Sequence, residues 1–219
     1  MQKALISWSG GKDSALSLYR IQRSGYLPSF LLTTITEDYD RISMHGVRTQ
    51  LLEKQASSLG LTLEKVLISK EGGNEEYEFR LRKVLEKSLA SGVSSVVFGD
   101  IFLEDLRAYR EKNLARLQMN GIFPIWKEDT RSLAEEFIKL RFRAIVTCVD
   151  TKFLDKRFAG RIYDEDFLSE IPDDVDPCGE NGEFHTFVFD GPNFSKPVKF
   201  KKGIMVLRDG RFFYCDLIP

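Results

Sequence analysis

The sequence predicts a doubly wound α/β fold: a mostly parallel sheet of five strands, followed by a smaller α+β unit. Three observations predict it. Short apolar runs alternate with amphipathic helical stretches four times between residues 4 and 126, and a fifth apolar run closes the series. Strands separated by helices of this length pair in parallel through right-handed crossovers. Beyond residue 127 the alternation breaks down and the charge pattern changes.

The elements follow in order. Residues 4–8 (ALISW) carry no charge, as suits a strand covered on both faces. Residues 13–24 place Ala15, Leu16, Leu18, Tyr19 and Ile21 at helical spacing, with Gly25 to stop the helix. Residues 30–35 (FLLTTI) make the next strand. Residues 47–59 read as a helix with Leu51, Leu52, Ala56 and Leu59 on one face and Gly60 after it. A strand at 62–69, a charged helix at 75–90 ending at Ser91-Gly92 and a strand at 94–99 (SSVVFG) come next. A helix at 103–119 and a strand at 121–126 complete the sheet. In such sheets ligands bind at the C-terminal strand ends, where the strand order reverses. The positions to inspect are therefore those after Trp8, Ile35, Ser69, Gly99 and Trp126.

The second part, residues 127–219, reads as a helix at 130–141, a strand at 143–149 and a hairpin of 204–208 with 211–217 about Asp209-Gly210. Asp-Gly between two apolar runs is a strong hairpin signal. Residues 162–195 hold ten acidic residues and no Lys or Arg, whereas residues 139–161 hold seven basic and two acidic. The split suits either a polarised small domain or solvated loops.

The chain has 219 residues, 42% hydrophobic and 30% charged, the balance of a globular protein. With 32 basic against 33 acidic residues, no basic excess draws nucleic acid non-specifically. No apolar run approaches the roughly 20 residues that span a bilayer, and the N-terminal run reads as a strand rather than a signal peptide. Three widely spaced cysteines, Cys148, Cys178 and Cys215, suit a reducing compartment. A cytoplasmic protein is expected, and a homo-oligomer stays open.

Three segments carry chemistry. The first is Ser9-Gly10-Gly11-Lys12-Asp13-Ser14, between the first strand and the first helix. Glycines let the backbone approach a ligand, the helix start supplies free amides, and Ser9, Lys12 and Ser14 add donors, making a phosphate-type anion site. The spacing matches neither GxxxxGK[ST] nor GxGxxG. The other reading is a tight turn capped by Ser9 or Asp13. The second segment is Gly99-Asp100, with Glu104, Arg107 and Arg110 on the following helix. An Asp at a strand end can help hold Mg²⁺, and two arginines three apart can meet phosphate or carboxylate, or form a cap with surface ion pairs. The third is the segment 176–186 (DPCGENGEFHT), in which exposed Glu180, Glu183 and His185 would bind an amine or relay a proton. An ordinary Gly-rich turn, or a metal held by Cys178 and His185, are its other readings.

SGGKDS resembles the signature of the PP-loop ATP pyrophosphatase superfamily. With Gly99-Asp100-Ile101, Ser43-Met44-His45, Pro124-Ile125-Trp126 and CGENGEFHT, the chain closely resembles the diphthine–ammonia ligase family over nearly its whole length. The resemblance implies a Rossmann-like sheet of the adenine nucleotide alpha hydrolase type. It implies ATP cleaved between the α and β phosphates, with an adenylated carboxylate and pyrophosphate as products. Ammonia then displaces AMP, and the acceptor is diphthine on elongation factor 2. Residues 9–14 would bind the departing pyrophosphate with Mg²⁺, Asp13 and Asp100 serving as metal ligands. Thr33, Thr34 and Ile35 would read the adenine, and His45 the phosphates or ribose. Glu104, Arg107, Arg110, Glu180, Asn181, Glu183, His185 and Thr186 would hold the acceptor or ammonium. Lys12, Asp13, Asp100, Glu183 and His185 are the expected catalytic residues. The same loop also suits a different small-molecule or tRNA acceptor, or an ATP sensor without catalysis.

Overall fold

The computed structural model describes residues 1–42, 45–71 and 73–219. The expected Ser43 and Met44 fall outside them. The strands of the first sheet are β1 (Gln2–Ser7), β2 (Tyr26–Thr36), β3 (Arg41–Ile42), β4 (Thr62–Ile68), β5 (Ser95–Val97) and β6 (Asn120–Ile122). Its helices are α1 (Lys12–Arg23), α2 (Thr49–Leu59), α3 (Asn74–Ala90) and α4 (Glu104–Ala115). Pairing gives a parallel order β4-β2-β1-β5-β6, with β3 antiparallel to β2. The chain winds outward from β1 to β2 and β4, then returns to the other side of β1 for β5 and β6. The order reverses between β1 and β5, so the crevice opens just past Ser7 and Val97.

Alternation along β1 explains the double winding. Ala4 and Ile6 enter one apolar layer with Ala15 and Leu18 of α1 and Leu51 and Leu52 of α2. Leu5 enters the opposite layer with Leu85 of α3 and Leu114 of α4. A strand buried on both faces has no place for a charge, hence the uncharged run.

The expected boundaries need correction at several points. The sheet has a sixth, antiparallel strand, β3, too short to signal itself by alternation. The strand expected at 121–126 stops at Ile122: Pro124 has no amide to donate, and Trp126 folds back onto the Phe123 carbonyl in a turn. The helix expected to reach residue 119 ends at Ala115, and Gln118 is left-handed at φ 55°.

The second sheet is antiparallel, in the order β8-β7-β10-β9. Its elements are α5 (Thr130–Lys139), β7 (Arg143–Asp150), α6 (Glu165–Glu170), β8 (Phe184–Asp190), β9 (Lys201–Arg208) and β10 (Phe212–Ile218). Asp129 caps α5 by accepting the Ser132 amide at 2.8 Å. Asp209 and Gly210 are both left-handed, φ 52° and 62°, in the three-residue turn between the paired Arg208 and Phe212, where the Asp-Gly hairpin was expected. The acidic stretch is not all solvated loop, since it supplies α6 and β8. Glu170 also pairs with Arg161 of the basic stretch at 2.6 Å. Phe187 and Val188 of β8 belong to the same apolar cluster as Ala4 and Leu52, so one core joins the two sheets.

Candidate active site

The glycine loop lies where β1 gives way to α1. The Trp8 amide still donates to the Leu32 carbonyl at 2.7 Å, then Gly10 turns left-handed at φ 77°. A Cβ at Gly10 would stand 2.7 Å from Leu52 Cδ2 and 2.8 Å from Gln55 Oε1. Gly11 occupies the cap position of α1 and has no side chain to offer the first-turn amides. Within the loop, Ser9 Oγ accepts the Gly11 amide at 3.2 Å and Ser14 Oγ donates to the Gly11 carbonyl at 2.9 Å. Gly99 permits β5 to close on this loop: a Cβ there would meet Asp13 C and Ser14 N at 2.9 Å.

The loop is fastened from behind by a residue that sequence reasoning missed. Gln55, wholly buried on α2, accepts from Trp8 Nε1 at 2.9 Å. Its amide nitrogen donates to the carbonyls of Gly10 (3.0 Å) and Val188 (2.5 Å). The available signal was a glutamine on the apolar stripe of Leu51, Leu52, Ala56 and Leu59.

The edge strand β8 covers the loop. Val188 donates its amide to the Gly10 carbonyl at 2.9 Å, and Thr186 Oγ1 accepts the Lys12 amide at 3.1 Å. Lys12 turns its side chain toward the third motif. Its Nζ sits 2.8 Å from both Asp13 oxygens and donates to the Cys178 carbonyl. The glycine loop and the CGENGEFHT turn, expected separately from sequence, therefore share one locus.

In front of them opens a cleft of about 420 Å³. Ser9, Lys12, Asp13, Ser14, Thr33, Thr34, His45, Gly99, Asp100, Arg110, Glu180, His185 and Thr186 line it. Thr33 and Thr34 fall between the last β1 pairing of β2, at Leu32, and the first β3 pairing, at Ile35. Tyr77 also lines the cleft and was not foreseen. Arg110 is drawn in by Asp100, its Nε 2.6 Å from Oδ2.

Other expected residues face elsewhere. Ile35 is a core residue paired to β3 and β4, so its backbone is already engaged. Glu104 pairs with Lys127 at 2.6 Å on the surface. Arg107 stacks over Phe123 and Trp126, 4.5 and 4.7 Å from their centroids, and pairs with Glu111. Glu183 was expected exposed but is buried; its Oε1 accepts the Asp176 amide (3.2 Å) and Asn181 Nδ2 (3.0 Å), pinning the turn. Gly10 and Gly11 shape the loop from beneath the cleft floor.

Burial sets the charges. It pulls His45 down to about 4, against a weaker pull upward from the Thr186 carbonyl 3.3 Å from Nδ1. Burial, then His45 and Lys12, hold His185 far below the ordinary range, so both rings are neutral. Burial lifts Glu180 to about 7; the Ile101 amide, donating to Oε1 at 2.7 Å, opposes the rise, and Asp13 and Asp100 add to it. Burial raises the Cys178 thiol to about 12, so it stays protonated and donates to the Thr130 carbonyl. Burial would lower Lys12, but Asp13 beside it keeps the ammonium charged and its value raised. Among the described residues no three His, Cys, Asp or Glu side chains gather to hold a metal, so a Cys178–His185 metal centre has no third ligand.

A glycine turn thus feeds a helix at the switch point of a doubly wound sheet, with a lysine and an aspartate in its first turn. The profile described as "Diphthamide synthase N-terminal domain" matches residues 1–121, and "Diphthamide synthase C-terminal domain" matches residues 129–214. The chain belongs to the diphthamide synthase family, and is an enzyme of the ligase class. It is 27% identical over 214 residues to a protein of Danio rerio named diphthine–ammonia ligase, covering 87% of this chain and 83% of that one. It is 26% identical over 221 residues to the Homo sapiens protein of the same name, covering 89% and 80%. A solved structure described as a predicted subunit of tRNA methyltransferase from Methanocaldococcus jannaschii aligns at a TM-score of 0.45 and 20% identity, over 66% of this chain and 80% of that one. No helix among the described residues is long and apolar enough to cross a membrane.

Proposed function

We propose that the chain is an ATP-dependent amide ligase: it adenylates a carboxylate, releases pyrophosphate and transfers ammonia to the acyl carbon, releasing AMP. The convergence of the glycine loop and the CGENGEFHT turn on one cleft, through Lys12 and Cys178, carries this reading. In this division of labour residues 1–126 hold ATP and residues 127–219 bring the acceptor. The relatives' name points to diphthine as acceptor, the modified residue of elongation factor 2.

The Asp13 and Ser14 amides and the Lys12 ammonium hold the departing pyrophosphate, with Ser9 as a hydroxyl donor. Thr33 and Thr34 face the adenine from the strand end. Asp13, whose side chain is 29% exposed and faces the cleft, fits a magnesium held by one or two carboxylates, phosphates and water. Asp100 fits less openly, because Arg110 already claims its oxygens. Magnesium bound there would neutralise charge on the leaving pyrophosphate.

The acceptor carboxylate attacks the α-phosphorus; its oxygen joins phosphorus as the bond to pyrophosphate breaks. Ammonia then attacks the carbonyl carbon, and that oxygen leaves on AMP. Glu180, poised near neutrality and facing the cleft, takes the proton that ammonium must lose. Neutral His45 and His185 wall the same space and add no charge to repel ammonium.

The test is product analysis with ATP, magnesium, ammonium and the acceptor. AMP and pyrophosphate accumulate in equal amounts; ADP with phosphate contradicts the scheme. Lys12→Ala and Asp13→Ala proteins keep their fold and lose turnover by on the order of a hundredfold or more.

A further inference from the structure

One edge of the second sheet is covered and the other is bare. β8 lies against the glycine loop, whereas β9 pairs only with β10 among the described residues. On β9, Ile204, Met205 and Leu207 are 71%, 46% and 51% exposed. Edge strands are usually blunted by charge, proline, a bulge or a cover, and a bare apolar edge pairs with another chain. Here charge stands at the ends, as Lys201 and Lys202 on one side and Arg208 on the other, and a register shift between Lys202 and Met205 bends the strand there, leaving the run from Met205 to Leu207 regular, apolar and uncovered.

Alternation sends Ile204, Val206 and Arg208 toward a cavity of about 700 Å³ whose other walls include Tyr39, Arg41, Arg48 and Lys70, with Asp209 at the turn. Arg41 and Arg48 share Asp216, each 2.7 Å from one of its oxygens. Lys70 and Arg208 form no ion pair among the described residues; both stand over the exposed Tyr39 ring, 5.6 and 6.0 Å from its centroid. Ile42 lines this cavity on one side and the candidate active cleft on the other.

We propose that the β9 edge and this cavity dock an extended acidic–apolar segment of a protein acceptor. Its backbone adds to β9, an apolar side chain covers Ile204, and its carboxylates reach Lys70 and Arg208. The inference rests on the ligase reading, since it gives that reaction a protein acceptor. Four cations against two aspartates, Asp209 and Asp216, converge on one cavity beside an apolar edge rather than running as a stripe, which favours a short acidic–apolar peptide over a nucleic-acid backbone.

Fluorescence anisotropy without nucleotide tests it, using a labelled peptide of alternating glutamate and valine, its lysine–valine counterpart and a single-stranded RNA. The glutamate peptide binds. Lys70→Glu with Arg208→Glu weakens it about tenfold, and Ile204→Asp weakens it comparably, while the lysine peptide and the RNA do not bind. Equal affinity for the native and both variant proteins overturns the proposal, as does tighter binding of RNA. Light scattering that finds a dimer split by Ile204→Asp overturns it too, because a second copy then occupies the edge. ATP binding by the native protein is measured separately: its loss defeats the ligase reading and leaves the peptide result standing.

Discussion

The rings of His45 and His185, the chain's two histidines, lie face to face with centroids 4.5 Å apart and planes tilted by 35°. One comes from the first sheet's side of the cleft and the other from β8. The His45 Nδ1 bears on the Thr186 carbonyl, and the His185 Nε2 is buried without a partner among the described residues. Two stacked imidazoles close to Lys12 cannot both carry charge, so the pair is a neutral wall.

Acid therefore destabilises the fold through this pair. In the unfolded chain both rings take up protons as pH falls below about 6.5, while in the folded chain His45 resists until about 4. The folded values are depressed, so the stability they contribute is full above pH 6.5 and lost as pH falls toward 4, on the order of 3 kcal/mol from His45 alone. Melting temperature followed from pH 7 to 4.5 drops, and the drop shrinks in a His45→Asn, His185→Asn protein. An unchanged slope in that protein removes the pair from the account.

Glu180 acts in the opposite sense. Its folded value near 7 lies above the ordinary range, so the stability gained by holding its proton is present in acid and lost as pH rises through about 7. As a proton acceptor it works only when ionised, so kcat rises through the same range. Glu180→Gln flattens that limb and lowers the plateau about a hundredfold. A rate profile with the limb intact in Glu180→Gln assigns the base elsewhere.

Gln55→Leu leaves Trp8 Nε1 and the Val188 carbonyl buried without their partner and unfastens the Gly10 turn. Each orphaned group costs about 1–3 kcal/mol, so denaturant unfolding shows a loss of roughly 3 kcal/mol. Isothermal titration shows weaker ATP binding even below the unfolding range.

Gly99→Ala drives a Cβ into the backbone of Asp13 and Ser14, neither of which is a flexible side-chain end. The loop or β5 must shift, at a cost of about 1–3 kcal/mol. ATP affinity falls more than melting temperature does, because the displaced atoms are the loop's own.

Glu183→Ala removes the acceptor for the Asp176 amide and Asn181, so the turn loosens. The protein still binds ATP but loses transfer, and Glu183→Gln, which keeps one acceptor oxygen, restores part of it. Lost ATP binding in Glu183→Ala places the turn's role in the nucleotide site instead.

The sequence by itself determined most of the periodic elements, though not all their ends or the short β3, and it marked the Asp209-Gly210 turn. An uncharged run must be a strand buried on both faces, and Asp209-Gly210 must turn left-handed, because these follow from neighbours along the chain. The glycine loop was legible for the same reason: Gly10 and Gly11 mark a place where backbone replaces side chain. Only the tertiary structure decided which distant groups meet. Arg107 and Arg110 look equivalent in sequence, yet three residues turn a helix about 60° short of a full circle, so Asp100 draws one in while Phe123 and Trp126 stack on the other. Gln55 was hidden because a buried amide is intelligible only once Trp8, Gly10 and Val188 surround it. The histidine stack was hidden because pairing across sheets depends on the docking of β8 against the loop, a packing result that no local pattern encodes.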